Sequence, residues 1–255
     1  MNRFFIKQKK IDEDIVKIDE PSDYKHIAYS LRLQPGDKVT ICTGDGLDYL
    51  VELRKFYQDK NLVIGRIINK KKNINEPGVN ITLAQAIPKK RNMELVAEKG
   101  TEIGFKKLIP VNTKRTVVKL NRNKKNKRIS RWQRIVEAAA KQSQRGIIPE
   151  VEDLYEIKDI VNIIKDYDLV MVFYTEEISD DINDIFNKIK LDKNEIENIL
   201  VMIGPEGGFT EEEVEFIREH DNAFSVTLGP RILRTETAGL VALTAILYEF
   251  GELGS

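Results

Sequence analysis

Residues 198–238 read NILVMIGPEGGFTEEEVEFIREHDNAFSVTLGPRILRTETA, and this stretch places a glycine-marked turn directly after each of two strand-like runs. The first run, Ile199 to Ile203, is continuously apolar, which is typical of a strand covered on both faces in a parallel sheet. The second run, Phe224 to Leu228, ends at Gly229 and Pro230. In open α/β sheets, ligands bind at the carboxyl ends of the strands. The stretch therefore predicts a small-molecule site.

The first turn contains Gly204, Gly207 and Gly208. Glycine adopts positive φ readily and lets a ligand approach the backbone closely. The turn lacks the Gly-Lys-Ser/Thr ending of a phosphate-binding loop, and its Glu206 would repel a phosphate and suit a cationic ligand. A lone turn of this kind is more often an ordinary strand-to-helix connection. Two such turns, the second followed by two arginines, favour a binding site.

A predicted helix follows each turn. Thr210 is a candidate N-cap, and Glu213, three residues later, completes a capping box. Thr235 with Glu236 opens a second helix that runs to about Phe250. This C-terminal helix is apolar around much of its circumference, which predicts burial on several sides and favours a subunit interface. The apolar residues are Leu240, Val241, Leu243, Ile246, Leu247 and Phe250.

The segments IGPEGGFTEEE (203–213) and LGPRILRTETA (228–238) closely resemble the two signature motifs of the RsmE family of ribosomal small-subunit methyltransferases, within the SPOUT superfamily. The resemblance covers essentially the whole chain. It implies methylation of N3 of a uridine in 16S rRNA, as free RNA or in the assembled small subunit, with S-adenosyl-L-methionine (SAM) as cofactor. It also implies a homodimer, a PUA-like N-terminal domain and a deep C-terminal trefoil knot, which is a feature that composition and spacing do not predict.

The chemistry of this reaction narrows the candidate catalytic residues. Uridine N3 is a poor nucleophile until its proton leaves, and fixed cations stabilise the resulting negative charge. Arg234 is the first candidate for this task, with Arg115 or Arg91 as helpers. Glu206 and Glu236 either act as the base, hold the SAM amino group or cap a helix. The residues that the resemblance and the turns suggest for SAM are Tyr174, Thr175, Glu176, Ile203, Gly204, Pro205, Gly207, Leu228, Gly229, Ile232, Leu233, Arg234 and Thr237.

Basic and amide side chains follow other strand-like or helical runs, and phosphate contacts require such side chains. The run Lys89 to Arg91 follows a predicted strand at the ligand-binding edge, and Asn92 is a candidate cap of the next helix. Solvation of a lysine-rich surface is the alternative interpretation of such charges. The residues expected to contact RNA are Lys89, Lys90, Arg91, Lys114, Arg115, Gln142 and Arg145.

Composition excludes several other kinds of site. The 255 residues carry 41 basic and 41 acidic side chains, so no global charge attracts nucleic acid. Cys42 is the single cysteine, and His26 and His220 lie far apart, so no disulfide framework or metal site is expected. No signal peptide or membrane-length apolar run is found, which predicts a soluble cytoplasmic protein.

The pattern of apolar and polar residues changes at a polar segment between Lys70 and Gly78, which marks the predicted domain boundary. Residues 1–72 alternate with period two, with a hairpin at Gly44 to Gly46, and predict a small β-barrel domain. Residues 73–255 alternate apolar strands with helices, which predicts a parallel α/β domain. Trp132 lies on the apolar face of a helix predicted from Ser130 to Gln144, where core packing is favoured over base stacking.

Two other functions are compatible with these motifs. A SPOUT methyltransferase that acts on tRNA would carry similar turns, and the choice of rRNA depends on the resemblance. A non-catalytic RNA-binding or assembly protein of the same fold would have no need of intact glycine turns and both arginines, which argues against that function.

Overall fold

The computed structural model describes residues 2–118, 122–174, 181–188 and 195–254. The contacts divide the chain into two units. The N-terminal unit comprises Met1–Glu76 with Ala140–Ile148, and the C-terminal unit comprises Pro77–Ala139 with Pro149–Ser255. A segment from the middle of the chain thus folds with the N-terminal unit, and no compositional signal indicated this.

The N-terminal unit is a largely antiparallel sheet. Its order among the described strands is β1-β4-β5-β6-β3-β2, and only the pair β1–β4 is parallel. A short α-helix continues into one π-helical turn at His26–Ser30. The elements are β1 (Arg3–Phe5), β2 (Ile11–Asp12), β3 (Ile15–Ile18), α1 (Pro21–Lys25), β4 (Lys38–Cys42), β5 (Leu47–Tyr57) and β6 (Leu62–Lys72).

The predicted hairpin of the N-terminal unit is confirmed, because β4 and β5 pair antiparallel around a turn in which Gly44 and Gly46 have φ of 82° and 79°. Alternate residues of β5, Tyr49, Val51 and Leu53, are buried in the unit's core. Asp48 directly precedes Tyr49, so the period-two alternation places it on the opposite face from these three residues. It is nevertheless only 4% exposed.

Asp48 is buried because Arg3 pairs with it. Nη1 and Nη2 of Arg3 donate to the two carboxylate oxygens at 2.7 and 2.9 Å, and Asn73 Nδ2 donates to Oδ1 at 2.9 Å. Burial alone would raise the pKa of Asp48, but the hydrogen bonds from Arg3 and Asn73 outweigh it and hold the pKa below its ordinary value. The carboxylate is therefore ionised at neutral pH and satisfies the guanidinium.

A second ion pair joins the buried Arg145 to the half-buried Glu76. Nη2 of Arg145 lies 2.6 Å from Oε2 of Glu76, whose Oε1 accepts from the amides of Gly146 at 2.7 Å and Ile147 at 3.2 Å. The carbonyl of Arg145 in turn accepts from Arg3 Nη1 at 3.0 Å. The expectation that Arg145 faces RNA is wrong in this structure, since the residue is 2% exposed and holds the 140–148 segment in the N-terminal unit.

The C-terminal unit is built on a parallel sheet, as predicted. The order is β10-β8-β7-β12-β11-β13, with β9 beside β8, and every described pair is parallel. All residues of the central strand from Ile199 to Ile203 are buried. The strands are β7 (Asn80–Ala86), β8 (Lys107–Asn112), β9 (Glu150–Val151), β10 (Tyr155–Glu156), β11 (Leu169–Phe173), β12 (Asn198–Ile203) and β13 (Ala223–Val226).

Helices of the C-terminal unit follow its strands, and α7 packs against α2, β7 and β12. None of the described helices is long and apolar enough to cross a bilayer. The helices are α2 (Asn92–Ile103), α3 (Arg122–Gln142), α4 (Ile157–Ile163), α5 (Ile182–Lys188), α6 (Glu211–Arg218) and α7 (Thr235–Glu249). The last three residues of α3 belong to the N-terminal unit.

The observed boundaries differ from the expected ones at three points. Helix α3 runs from Arg122 to Gln142, whereas Ser130 to Gln144 was expected. Its start was not predicted because its first turns are polar and carry no apolar periodicity. Strand β13 ends at Val226, two residues before Leu228. Asn92 is the first residue of α2 and does not cap it, since Arg91 holds the N-cap position without a side-chain bond. The expectation of a core role for Trp132 is confirmed, with 2% of the residue exposed.

The ion pair of Arg145 with Glu76 predicts a specific loss of stability. Replacing Arg145 with alanine should lower the free energy of unfolding by about 2 kcal/mol, because the half-buried Glu76 side chain would lose its guanidinium partner. Urea denaturation measures this change. Lys127→Ala, at an exposed position of α3, is the matched control. An Arg145→Ala protein as stable as this control would contradict the structural role of the pair.

Candidate active site

The strand register brings four strand ends to one edge of the C-terminal sheet. Ile203 of β12 lies opposite Gln85 of β7 on one side and Phe173 of β11 on the other, and Phe173 lies opposite Val226 of β13. The turns that follow these strands therefore emerge at the same level. The expectation that both glycine turns share one edge is confirmed.

The first turn requires glycine at two positions for different reasons. A Cβ on Gly204 would lie 3.0 Å from the amide nitrogen of Phe209 and 3.1 Å from the carbonyl carbon of Gly208, and both atoms belong to the backbone. Gly208 itself has φ of 68°. The turn closes with a bond from the Gly208 amide to the carbonyl of Pro205 at 2.8 Å. The loop thus folds tightly over the end of β12.

The capping box predicted for α6 is confirmed. Oγ1 of Thr210 accepts from the amide of Glu213 at 3.3 Å, and the Glu213 carboxylate accepts from the amide of Thr210 at 2.9 Å. The other Glu213 oxygen accepts from the amide of Lys114 at 2.8 Å. Glu213 therefore fixes the start of α6 and also ties it to the loop after β8.

The second turn leads into α7. Gly229 has φ of 90°, a conformation that side chains rarely adopt, and a Cβ there would meet open space. Arg234 is the N-cap residue of α7, and its exposed side chain makes no capping bond. Thr235, at the first helical position, is buried beneath it. The turn thus presents Arg234 and buries its neighbour.

The two turns enclose a cavity of about 480 Å³, a size typical of small-molecule sites. Its walls combine apolar side chains with the backbone of both turns. Gly207 and Thr237 do not line it, whereas Thr175 and Glu176 lie outside the described residues. The expected residues that do line it are Tyr174, Ile203, Gly204, Pro205, Glu206, Leu228, Gly229, Ile232, Leu233, Arg234 and Glu236, together with Lys89 and Lys90.

A buried hydrogen-bond chain, absent from the expected site residues, connects the two turns through β7. Nε2 of Gln85 donates to Oγ1 of Thr235 at 2.8 Å, and the Thr235 hydroxyl donates to the carbonyl of Gly204 at 2.6 Å. Gln85 is fully buried. A glutamine inside the apolar run 81–87 is a sequence signal that could have pointed to this contact, because buried polar side chains require partners.

Two family models match the chain: an RNA methyltransferase domain over residues 75–247 and an RNA methyltransferase PUA domain over residues 18–68. The chain is 35% identical over 251 residues to ribosomal RNA small subunit methyltransferase E of Bacillus subtilis, which covers 98% of this chain and 97% of that protein. It is 33% identical to the protein of the same name from Mesomycoplasma hyopneumoniae, over 80% of this chain and 83% of that one.

The chain belongs to the ribosomal RNA small subunit methyltransferase E family. A crystal structure of the Neisseria gonorrhoeae member bound to SAM is similar, with a TM-score of 0.81 and 28% identity, over 98% of both chains. The motif resemblance is therefore confirmed, as are the parallel α/β fold and the PUA-like N-terminal domain.

In this member of the methyltransferase E family, the two candidate carboxylates have different surroundings. Oε1 of Glu206 accepts from the backbone amide of Lys89 at 2.8 Å, which links the first glycine turn to the loop after β7. Glu236 lies in the first turn of α7, is half-buried and lines the cavity. Glu206 thus has a structural contact in addition to its place at the cavity, and Glu236 is the second carboxylate residue that lines the cavity.

The residues expected to bind RNA lie in different places in the structure. Lys89, Lys90 and Arg91 are exposed on the loop after β7, and the two lysines line the cavity mouth. Lys114 and Arg115 follow β8 and make contacts within the C-terminal unit: Lys114 pairs with Glu212, which is exposed. In the N-terminal unit, Gln142 is exposed at the end of α3.

Arg115 holds the first glycine turn. Its Nη1 donates to the carbonyls of Gly207 at 2.8 Å and Phe209 at 3.0 Å. Carbonyls of a tight turn have no regular secondary-structure partner, so a guanidinium that spans two of them stabilises the turn. This contact gives Arg115 a structural role that its position in a basic loop did not indicate.

We expect Arg115→Ala to loosen the turn. The amides of Gly208 and Thr210 are hydrogen-bonded within the turn and its cap, and their hydrogen exchange should become about tenfold faster when both carbonyl contacts are lost. Exchange measured by mass spectrometry tests this, with Lys114→Ala as the neighbouring control. Equal protection in the Arg115→Ala and Lys114→Ala proteins would show that the guanidinium does not hold the turn.

Proposed function

We propose that this chain is a SAM-dependent methyltransferase that modifies N3 of a uridine in the 16S rRNA of the small ribosomal subunit. The observation that supports it most directly is the cavity between two glycine turns at the carboxyl edge of the sheet, in a chain that aligns along 98% of its length with a methyltransferase E. The Neisseria gonorrhoeae relative, whose structure contains SAM, has the same overall fold.

The residues around the cavity suit SAM. The apolar side chains of Leu228, Ile232 and Leu233 can flank an adenine, and backbone groups of both turns can bond its ring and the ribose. Gly204 lets the first turn fold back tightly over the end of β12, and Gly229 adopts the positive φ of the second turn. When bound, SAM supplies an electrophilic methyl carbon on a positively charged sulfur.

Arg234 is the residue that we assign to the uridine. Its exposed side chain stands at the cavity and at the N-terminus of α7, where positive partial charge adds to that of the guanidinium. Both favour the anion that forms when N3 loses its proton, with charge on N3 and the flanking carbonyl oxygens. Glu206 or Glu236 accepts the proton or holds the SAM amino group. Glu236 is the stronger candidate for the base, because Glu206 already bonds the Lys89 amide.

RNA binding is assigned to the exposed cations and to the N-terminal unit. Lys89, Lys90 and Arg91 lie on the loop at the cavity mouth, where phosphates beside the target uridine would pass. The N-terminal unit, which matches an RNA methyltransferase PUA domain over residues 18–68, would contribute RNA contacts of its own. The substrate class also supports a cytoplasmic location, and the family resemblance supports a deep trefoil knot around the SAM site.

The expected activity is the appearance of 3-methyluridine in 16S rRNA incubated with the protein and labelled SAM, detected by mass spectrometry of nucleosides. Arg234→Ala should lower the single-turnover rate by about 100-fold and change RNA affinity little, because the guanidinium acts on charge that develops in the transition state. Arg91→Ala is the matched control. It should weaken RNA binding and reduce its salt slope by about one unit while the rate at saturating RNA is kept.

Two outcomes would contradict this proposal. Label that enters tRNA and not 16S rRNA would favour the tRNA-modifying alternative, and no label in any RNA would favour a non-catalytic binding protein. An unchanged rate in Arg234→Ala would leave the fold assignment intact and remove Arg234 from the mechanism.

The family's homodimer is a further part of the proposal. Many of the apolar side chains of α7 are already covered by the chain itself, since Leu243, Ile246 and Leu247 are buried. What is left exposed is one face with Val241 at 38% and Tyr248 at 69%, seven residues apart. Such a face, on the helix that carries the second motif, is suited to pairing with a second copy.

We expect a dimeric mass by light scattering at micromolar concentration. The double substitution Val241→Asp and Tyr248→Asp should produce monomers, because two buried carboxylates would lack partners in the interface. Phe216→Asp, an apolar position of α6 that is 41% exposed, is the control and should stay dimeric. A wild-type protein that is monomeric would refute the dimer.

A further inference from the structure

Gln85 stands at the centre of the C-terminal unit without a role in the proposed chemistry. It lies at the carboxyl end of β7, one residue before the strand ends, and is fully buried. Its Nε2 donates to Oγ1 of Thr235 at 2.8 Å and to the carbonyl of Ala86 at 3.2 Å. A buried amide in an apolar strand costs free energy unless its partners compensate, which raises the question of what these bonds hold.

The direction of the hydrogen bonds is fixed by the acceptor at the end of the chain. The Thr235 hydroxyl lies 2.6 Å from the carbonyl of Gly204, which can only accept, so the hydroxyl proton points there. The hydroxyl oxygen must then accept from Gln85, and only the amide nitrogen can donate. The bonds therefore run one way, from Gln85 to Thr235 to Gly204.

The other end of the amide constrains α7. A Cβ on Gly239 would lie 2.8 Å from Oε1 of Gln85, closer than real contacts allow. The amide of Gln85 thus occupies the space that a side chain at position 239 would fill. Gln85 thus contacts two positions of α7, Thr235 in its first turn and Gly239 in its second.

We propose that Gln85 is a positioning residue for the SAM cavity, and that it acts through the hydroxyl of Thr235. The hydrogen-bond chain fixes the carbonyl of Gly204 in the first turn and the start of α7 in the second. Gly204 and Thr235 both line the cavity, as do Arg234 and Glu236 on either side of Thr235. The separation of the two walls is therefore set by two buried hydrogen bonds. The proposal rests on the function assigned above, because it takes SAM as the ligand.

Two variants of Thr235 test the chain at its middle. Thr235→Val has nearly the same shape and no hydroxyl, so the Gly204 carbonyl and the Gln85 amide both lose a partner, and SAM affinity measured by calorimetry should fall about tenfold. Thr235→Ser keeps the hydroxyl and loses a methyl group, and it should bind SAM as the wild type does. Equal affinity of the valine variant and the wild type would overturn the proposal.

Gln85→Glu tests the direction of the bonds. A carboxylate can only accept, so it would draw the Thr235 proton away from Gly204. Four residues that adjoin Gln85 carry no charged side chain: Ile203 and Pro110 lie opposite it on the adjacent strands, and Thr235 and Gly239 lie beside it on α7. Burial should raise the pKa of the new carboxyl, and its protonated form has a proton to donate again.

The SAM affinity of Gln85→Glu, taken relative to wild type at each pH, should therefore be about tenfold weaker at high pH and recover as the pH is lowered. A general packing defect would give a ratio of variant to wild-type SAM affinity that does not change with pH. That result would overturn the proposed hydrogen-bond chain. Thermal unfolding without SAM, recorded in parallel, establishes that each variant is folded, and the valine and serine pair decides the matter if Gln85→Glu does not fold. If the wild type itself fails to bind SAM, the proposed function fails; if it binds and the variants match it, only the positioning role of Gln85 fails.

Discussion

The Thr235 hydroxyl donates to the Gly204 carbonyl at 2.6 Å and accepts from Gln85 at 2.8 Å. These two hydrogen bonds join three elements around the cavity. β7 supplies the amide, the turn after β12 supplies the carbonyl, and α7 supplies the hydroxyl. Because Gln85, Thr235 and Gly204 are buried, a group that lost its partner would pay a desolvation penalty. Gly239 leaves room for Oε1 of Gln85, since a Cβ there would lie 2.8 Å from that oxygen, and this close approach lets the amide reach α7.

Around this buried contact, charged side chains hold the first turn from outside. Arg115 bonds two of its carbonyls, and Glu206 bonds the amide of Lys89 across the cavity mouth. A loop fixed from several directions pays little conformational entropy when a ligand binds, which is the physical content of a preorganised site. The charges at this edge therefore divide by contact. Arg115 and Glu206 stabilise the backbone, whereas Arg234 and Glu236 stand at the cavity without such a task.

In the N-terminal unit, ion pairs between side chains distant in sequence have a comparable structural role. Arg3 pairs with the buried Asp48, and the buried Arg145 pairs with the half-buried Glu76. Arg3 links the two pairs through the Arg145 carbonyl. The same cluster encloses Cys42, where burial raises the pKa of the thiol to about 12, so it stays protonated beside Arg3. Buried pairs of this kind add little net stability compared with apolar residues, but removal of one partner is costly. Their effect is to specify where the 140–148 segment joins the unit.

The amino-acid sequence by itself determined the local structure and the family. The apolar run of β12, the glycines after it and the pair Thr210–Glu213 predict strand, turn and helix correctly, because each depends on neighbours in the chain. What only the tertiary structure decided is the direction of polar side chains whose partners are distant: Arg115 bonds a carbonyl 92 residues away, Arg145 a carboxylate 69 away, and Gln85 a hydroxyl 150 away. A basic residue in a loop has the same local pattern whether it faces RNA or holds a carbonyl, and only the fold places the acceptor beside it.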